Sequence, residues 1–176
     1  EAVSRKLTRS PPVDAWSAAY RGPRAECVAS AKTNRDPKPA TLPLDQAAAF
    51  PRAAVTAILG LRDAGKIQPG QKVLINGASG GVGTFAVQIA KAFGAEVTGV
   101  CSTRNVDLVR SIGANHVVDY TREDFTQNGQ RYDLILDNVA SRSFSDLRCA
   151  LTPQGKVVPN SGHAGMGYVF KAFALS

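Results

Sequence analysis

A glycine-rich segment, residues 77–83, has the composition of a turn that binds an anion. It reads GASGGVG and lies between an apolar run at Lys72–Asn76 and a stretch with helical periodicity at Val82–Phe93. Glycines allow a tight turn and a close approach of the backbone to a ligand, and the first N–H groups of the following helix attract negative charge. A dinucleotide pyrophosphate is the usual occupant of such a turn. The residues predicted to hold it are Ser79, Gly80, Gly81, Val82 and Gly83.

The segment departs from the standard G-x-G-x-x-G pattern, since Ala78 stands where the first glycine belongs. A phosphate loop of the Walker type is excluded because no Gly-Lys-Ser/Thr follows. A plain turn from strand to helix, without a ligand, is the alternative interpretation. The flanking strand and amphipathic helix favour the dinucleotide site.

A second polar segment lies where the next strand is predicted to end, about 20 residues after the glycines. Enzymes that use NAD carry a carboxylate there, which accepts hydrogen bonds from the adenosine ribose hydroxyls. Here the place is taken by Ser102, Thr103 and Arg104, without Asp or Glu. Hydroxyls and a guanidinium can bind a ribose 2′-phosphate, so the pattern favours NADP(H). The alternative is that Thr103 or Asn105 caps the next helix and Arg104 is solvated.

The elements that would position these residues alternate between short apolar strands and helices. This order predicts parallel strands joined by helical crossovers, hence a doubly wound, Rossmann-like α/β sheet. A further helix is predicted from Asp45, with a kink or restart at Pro51. The first 44 residues are rich in Pro and Arg, with a short strand predicted at Ala25–Ala29. The predicted strands are Lys72–Asn76, Glu96–Val100, His116–Val118, Asp133–Asp137 and Gly155–Pro159, and the predicted helices are Val82–Phe93, Asn105–Ile112, Phe144–Leu151 and Met166–Leu175.

Composition limits the class of protein. The 176 residues are 44% hydrophobic and carry a net charge of +7, which suits a globular domain with an anionic ligand. Nucleic acid is an unexpected partner, because the basic residues near the N-terminus lie among prolines. The three cysteines have no paired spacing, which argues against a zinc cluster and a disulfide framework. A reducing compartment and a cytoplasmic location are predicted. The sequence has no run of 18 apolar residues, so a membrane span is not predicted.

Residues 76–83, followed by FAVQIAK at residues 85–91, resemble the medium-chain dehydrogenase/reductase superfamily. The resemblance is strongest to its zinc-free branch of proteins like quinone oxidoreductases, and it extends from about residue 25 to the C-terminus. It implies a reductase that passes hydride from NADPH to a quinone, an enone or a similar carbonyl compound. It places Tyr120 at the adenosine side of the cofactor. It places four residues at the nicotinamide side: Thr56, Asn138, Ser161 and Gly162.

The sequence differs from the family in how much of each of the family's two domains it matches. The resemblance implies that residues 1–44 are a remnant of an N-terminal, β-rich barrel-like catalytic domain, and that residues 45–176 form a dinucleotide-binding domain that ends before its sixth strand. No catalytic acid is identified by spacing, and no metal ligands are predicted, since His116 and His163 have no ligand partner at a suitable distance along the chain. A homodimer is expected by analogy. A second hypothesis is a non-catalytic NADP(H)-binding module.

Overall fold

The computed structural model describes residues 16–17, 36–37, 41 and 44–160. The chain divides into two compact units, residues 1–52 and residues 53–176. In the first unit, strand β1 (Trp16–Ser17) pairs antiparallel with strand β2 (Asp36–Pro37). The strand predicted at residues 25–29 and the helix predicted at residues 166–175 lie outside the described residues. The predicted domain boundary between residues 44 and 45 stays a prediction.

The second unit is built on a five-stranded sheet. The strands lie in the order β5-β4-β3-β6-β7, and every neighbouring pair is parallel. This confirms the predicted doubly wound α/β class, because the chain places β4 and β5 on one side of β3 and places β6 and β7 on the other. The strand bounds are β3 Lys72–Asn76, β4 Glu96–Cys101, β5 His116–Asp119, β6 Tyr132–Asp137 and β7 Leu151–Pro159.

Within the described residues, four α-helices connect or precede these strands. Helix α2 follows the glycine-rich turn and buries Ala86 and Ala90, which lie four residues apart on one face as in an amphipathic helix, and also Val87. A π-helical segment, Leu59–Ala64, continues α1, and a 3₁₀ turn, Thr103–Asn105, leads into α3. The helix bounds are α1 Leu44–Ile58, α2 Gly81–Ala92, α3 Val106–Ser111 and α4 Phe144–Cys149.

The sheet has an apolar cluster on each face. Alternate residues of a strand point to opposite faces, and β3 follows this rule: Val73 and Ile75 belong to one cluster and Leu74 to the other. The first cluster includes the buried residues of α2, and the second includes Leu147 of α4. Helices therefore cover both faces, which keeps the parallel strands away from water.

Two expectations about the elements are wrong. The restart predicted at Pro51 is absent, since helix α1 continues from Leu44 to Ile58. The neighbouring alanines are strong helix formers, and the alternative of a kink at Pro51 stays a prediction. Strand β7 begins at Leu151, earlier than predicted, since Tyr132 of β6 pairs with Leu151 across a register irregularity. Pro153 and Gly155 are weak strand formers, so the sequence of this segment does not indicate the pairing.

Candidate functional site

A cavity of about 560 Å³ lies at the carboxyl ends of the parallel strands. Strands β3 and β6 are neighbours there although β4 and β5 intervene in the sequence, so this is the point where the strand order reverses. Open α/β sheets bind ligands at this position. We call it the strand-end cavity. Its described lining residues are Asn76, Gly77, Ser79, Val100, Cys101, Ser102, Arg104, Asn105, Tyr120, Phe125, Val139, Ser141 and Arg142.

The glycine-rich turn forms one wall of the strand-end cavity. Gly77 adopts φ +77°, a conformation that favours glycine. A Cβ atom at Gly83 would overlap the Gly77 carbonyl oxygen, whereas a Cβ atom at Gly81 would meet nothing within 4 Å. Gly83 is therefore required for the close packing of the turn, and Gly81 leaves open space in front of α2. The N-cap residue of α2 is Gly80, so no side chain caps the first N–H groups of the helix.

Asn105 joins the two polar segments that the sequence identified. Its Nδ2 donates to Ser79 Oγ and to Ser102 Oγ, both at 3.2 Å. Because both serine oxygens accept from the amide, each hydroxyl proton stays available to donate to an acceptor in the cavity. Asn105 is the N-cap residue of α3, as the sequence suggested, but its side chain makes no capping hydrogen bond. The side chain instead bridges the turn after β3 and the turn after β4.

The lining of the strand-end cavity has a positive charge balance. It includes Arg104 and Arg142, and none of its described residues is Asp or Glu. Arg104 is exposed, and Tyr120, at the end of β5, is 57% exposed. Arg142 forms an ion pair with Asp124 at 3.2 Å. Because Asp124 offsets the charge of Arg142, it is mainly Arg104 that can attract an anion from solution to the cavity.

Thr103 is oriented differently from Ser102 and Arg104. Its hydroxyl donates to the carboxylate of Asp119, at the end of the neighbouring strand β5. Thr121 donates to the same carboxylate through its backbone N–H and its hydroxyl. The Thr103 hydrogen bond holds the pKa of Asp119 below its usual range, so this carboxyl group is ionised at neutral pH. Thr103 therefore connects the turn after β4 to the turn after β5.

Cys101 lies in the wall of the strand-end cavity as a neutral thiol. It is 2% exposed, and burial raises its pKa above the usual value. A thiolate, which is the reactive form, is disfavoured in this environment. Cys101 therefore adds no negative charge that would oppose an anionic ligand.

Several predicted site residues lie outside the described lining of the cavity. Thr56 is half-buried on α1, and Asn138 is half-buried immediately after β6. Ser161 and Gly162 lie outside the described residues. Four predicted residues do line the cavity: Ser79, Ser102, Arg104 and Tyr120. Four others lie at the start of α2: Gly80, Gly81, Val82 and Gly83. Thr103 faces Asp119 instead.

The described part of the chain carries neither a metal cluster nor a membrane-spanning helix. Its residues include no group of three or more His, Cys, Asp or Glu side chains placed to hold a metal ion. No helix among them has the length and apolar character needed to cross a membrane.

The residues around the strand-end cavity fit a nicotinamide dinucleotide. The uncapped start of α2 and the open space at Gly81 suit a pyrophosphate. The Ser79 and Ser102 hydroxyls and the two guanidinium groups can donate to phosphate oxygens. The carboxylate-free lining suits a ligand with several negative charges.

Comparison with protein families gives one match that covers more than half of the chain. A family model described as zinc-binding dehydrogenase matches residues 81–174. The matched segment begins at α2 and includes the strands from β4 to β7.

Individual relatives are oxidoreductases by name. The mitochondrial NAD(P)H oxidoreductase RTN4IP1 of Mus musculus is 40% identical over 136 residues, which are 72% of this chain and 34% of that protein. A chloroplastic quinone-oxidoreductase homolog of Spinacia oleracea is 32% identical over 166 residues, which are 89% of this chain and 50% of that protein. The chain thus spans between a third and a half of the length of these relatives.

Solved structures agree with the fold. The quinone oxidoreductase from Coxiella burnetii matches with a TM-score of 0.69 and 30% identity, over 74% of this chain and 41% of that one. An enoyl reductase, CurK, matches with a TM-score of 0.68 and 32% identity, over 74% of this chain and 41% of that one.

Proposed function

Because the chain belongs to the zinc-binding dehydrogenase family, within the medium-chain dehydrogenase/reductase superfamily, we propose that it is the cofactor-binding part of an NADPH-dependent oxidoreductase. The observation that carries the proposal is the strand-end cavity, which contains two arginines and no described carboxylate in front of the uncapped start of α2. Relatives named as NAD(P)H oxidoreductase and quinone oxidoreductase support this reaction class.

In this proposal the chain's own residues bind and orient the cofactor. NADPH supplies the hydride, and the protein supplies binding, orientation and exclusion of water. Gly80, Gly81, Val82 and Gly83 approach the pyrophosphate at the start of α2, with the Ser79 hydroxyl donating beside them. Ser102 and Arg104 donate to the 2′-phosphate, and Thr103 holds their turn through Asp119. The exposed ring of Tyr120 covers the adenosine side.

The remaining parts of the proposal concern the reacting end of the cofactor. Thr56, Asn138, Ser161 and Gly162 lie on the nicotinamide side, and the acceptor is a small quinone, enone or related carbonyl compound. Zinc independence, a cytoplasmic location and a homodimer also belong to the proposal. The two relatives compared above are mitochondrial and chloroplastic by name, so the compartment stays a prediction.

The 2′-phosphate site is tested by titrating NADPH and NADH into the wild-type protein and into Arg104→Glu. We expect the wild type to bind NADPH more tightly than NADH. The substitution should weaken NADPH binding about tenfold or more, since it replaces a charge-assisted donor with a repelling carboxylate. NADH affinity should change little, because NADH has no 2′-phosphate. Calorimetry measures both affinities.

Arg110→Glu is the matched control for this experiment. Arg110 is exposed on α3 and does not line the strand-end cavity, and its substitution makes the same change in net charge. It should leave the preference for NADPH intact. Equal wild-type affinities for the two nucleotides would overturn the proposed NADPH preference, and binding of neither would overturn the cofactor site itself.

Catalysis is tested separately from binding. NADPH oxidation can be followed by absorbance with a panel of quinones and enones, using the protein of which this chain is the cofactor-binding part. Turnover with one of these acceptors supports the reductase. Tight NADPH binding without any turnover would favour the alternative, a non-catalytic binding module.

A further inference from the structure

The loop after β6, residues 138–142, is held by a carboxylate that the proposed function does not use. Asp137, the last residue of β6, is fully buried. Its Oδ1 accepts hydrogen bonds from the backbone N–H groups of Val139 at 3.2 Å and Ala140 at 3.0 Å. Ala140 adopts φ +57°, a conformation that residues with a Cβ atom seldom adopt. The Asp137 carboxylate therefore holds the loop in a conformation that the chain alone disfavours.

Asp137 also reaches the strand beside it. Asn76, the last residue of β3, donates from Nδ2 to Asp137 Oδ1 at 2.9 Å, and this amide is buried as well. Asn76 immediately precedes Gly77, the first residue of the glycine-rich turn. One carboxylate oxygen thus connects the end of β3 to the loop after β6.

Asn138 and Asn160 extend these contacts to β7. Asn138 Nδ2 donates to the Asn76 carbonyl oxygen at 3.0 Å, and its Oδ1 accepts from Asn160 Nδ2 at 2.8 Å. The Asn160 backbone N–H donates to the Asp137 carbonyl oxygen at 2.8 Å. The ends of three strands are therefore joined by one connected set of hydrogen bonds, and such networks hold a single arrangement when all members are satisfied.

The loop packs directly against the glycine-rich turn. A Cβ atom at Gly77 would lie 2.7 Å from Val139 Cγ2, so the glycine allows Val139 to lie across the turn. Val139, Ser141 and Arg142 of the loop all line the strand-end cavity. The position of the loop therefore sets the shape of one wall of the cavity.

We propose that Asp137 is a positioning residue for the cofactor, and that it acts by fixing loop 138–142 and Asn76 before the cofactor binds. This inference rests on the proposed function, since it takes a nicotinamide dinucleotide as the ligand of the strand-end cavity. Asp137 does not line the cavity itself. Its contribution is a preformed wall, which lowers the entropy that binding must remove.

The test compares Asp137→Asn with Asp133→Asn in the full 176-residue chain. Asn keeps the shape of Asp137 but replaces one oxygen by an N–H donor, so the three N–H groups on Oδ1 lose a charged acceptor. Asp133 is the matched control, because it also belongs to β6 and accepts from Lys72 N and Thr152 Oγ1. It lies at the start of the strand, away from the strand-end cavity.

Two measurements are made on each variant. Amide hydrogen exchange of the cofactor-free protein follows residues 138–142, and calorimetry with NADPH follows binding. We expect Asp137→Asn to speed exchange at Val139 and Ala140 about tenfold or more and to weaken NADPH binding about fivefold or more. Asp133→Asn should change neither quantity. Thermal unfolding of both variants identifies any general loss of stability.

The outcomes separate this inference from the function on which it rests. If Asp137→Asn binds NADPH as tightly as the wild type does, the inference alone is overturned. The same holds if amide exchange in residues 138–142 of this variant is as slow as in the wild type. Equal loss of NADPH affinity in the two variants also overturns it, because the effect would then be general. A wild-type protein that binds neither NADPH nor NADH overturns the proposed function and the inference together.

Discussion

Asp119 and Asp137 are each the last residue of a parallel strand, and each is buried at the end of the sheet that contains the cavity. Their partners differ. Asp119 accepts from two threonine hydroxyls and one backbone N–H, all from the turns after β4 and β5. Asp137 accepts from a buried amide and two backbone N–H groups.

The difference in partners indicates a difference in role. A hydroxyl can rotate and donate to water when its acceptor is lost, whereas the buried Asn76 amide cannot, and the two partly buried backbone N–H groups are fixed in direction. Losing Asp137 should therefore leave donors unsatisfied, while losing Asp119 should mainly remove a negative charge and free Thr103. We interpret Asp137 as a support for the fold and the cavity wall, and Asp119 as a link between two surface turns.

The largest effect expected from the comparison of Asp137 with Asp119 is a difference in the free energy of unfolding between their two alanine variants. Asp137→Ala should lower the free energy of unfolding by about 3 kcal/mol, because one buried amide and two partly buried backbone N–H groups lose their acceptor at once. Asp119→Ala should lower it less, since two of its three donors are hydroxyls. Urea denaturation monitored by circular dichroism measures both. Losses of equal size would show that the type of donor does not distinguish the two carboxylates.

A smaller effect is predicted for the pH dependence of stability at Asp119. The Thr103 hydrogen bond lowers the pKa of Asp119 in the folded protein. A lowered pKa means that this carboxylate stabilises the fold at pH values above its unfolded pKa, and that the contribution is lost as pH falls through the folded pKa. Asp119→Asn should therefore unfold with a shallower loss of stability at acid pH than the wild type. Thermal unfolding at a series of pH values measures the slope.

Asp107→Asn is the control for that series, because the Asp107 side chain is fully exposed on α3. Its curve should run parallel to the wild-type curve. If the stability of Asp119→Asn also changes with pH in parallel with the wild type, the hydrogen bond from Thr103 does not stabilise the ionised form of Asp119.

Much of the fold could be predicted because its signals are local. Strand β3 has the predicted bounds, and β4 and β6 differ from prediction by one residue each, since buried parallel strands have continuous apolar runs. The start of β7 at Leu151 could not be predicted in this way. It depends on pairing with β6, which the weak strand formers Pro153 and Gly155 do not indicate.

The site was predicted less completely because its hydrogen bonds join distant segments. Ser79 and Arg104 were identified from their places after strands, and both line the cavity. The contact between Thr103 and Asp119 requires knowing that β4 pairs with β5. Asp137 had an available signal, since polar residues end three strands of one sheet, but its three donors are visible only in the structure.

The smallest predicted effect concerns Ala140, which Asp137 holds at φ +57°. Ala140→Gly should stabilise the protein by about 0.5 kcal/mol, because glycine adopts this conformation without steric cost but loses more entropy on folding. Lys66→Gly is the matched control, since Lys66 adopts φ +54° and lies away from the cavity. Both variants should gain similar stability in urea denaturation, yet only Ala140→Gly should slow local amide exchange in residues 138–142, because it favours the closed form of that loop. Destabilisation by Ala140→Gly would contradict the interpretation that the Asp137 hydrogen bonds oppose a local backbone strain.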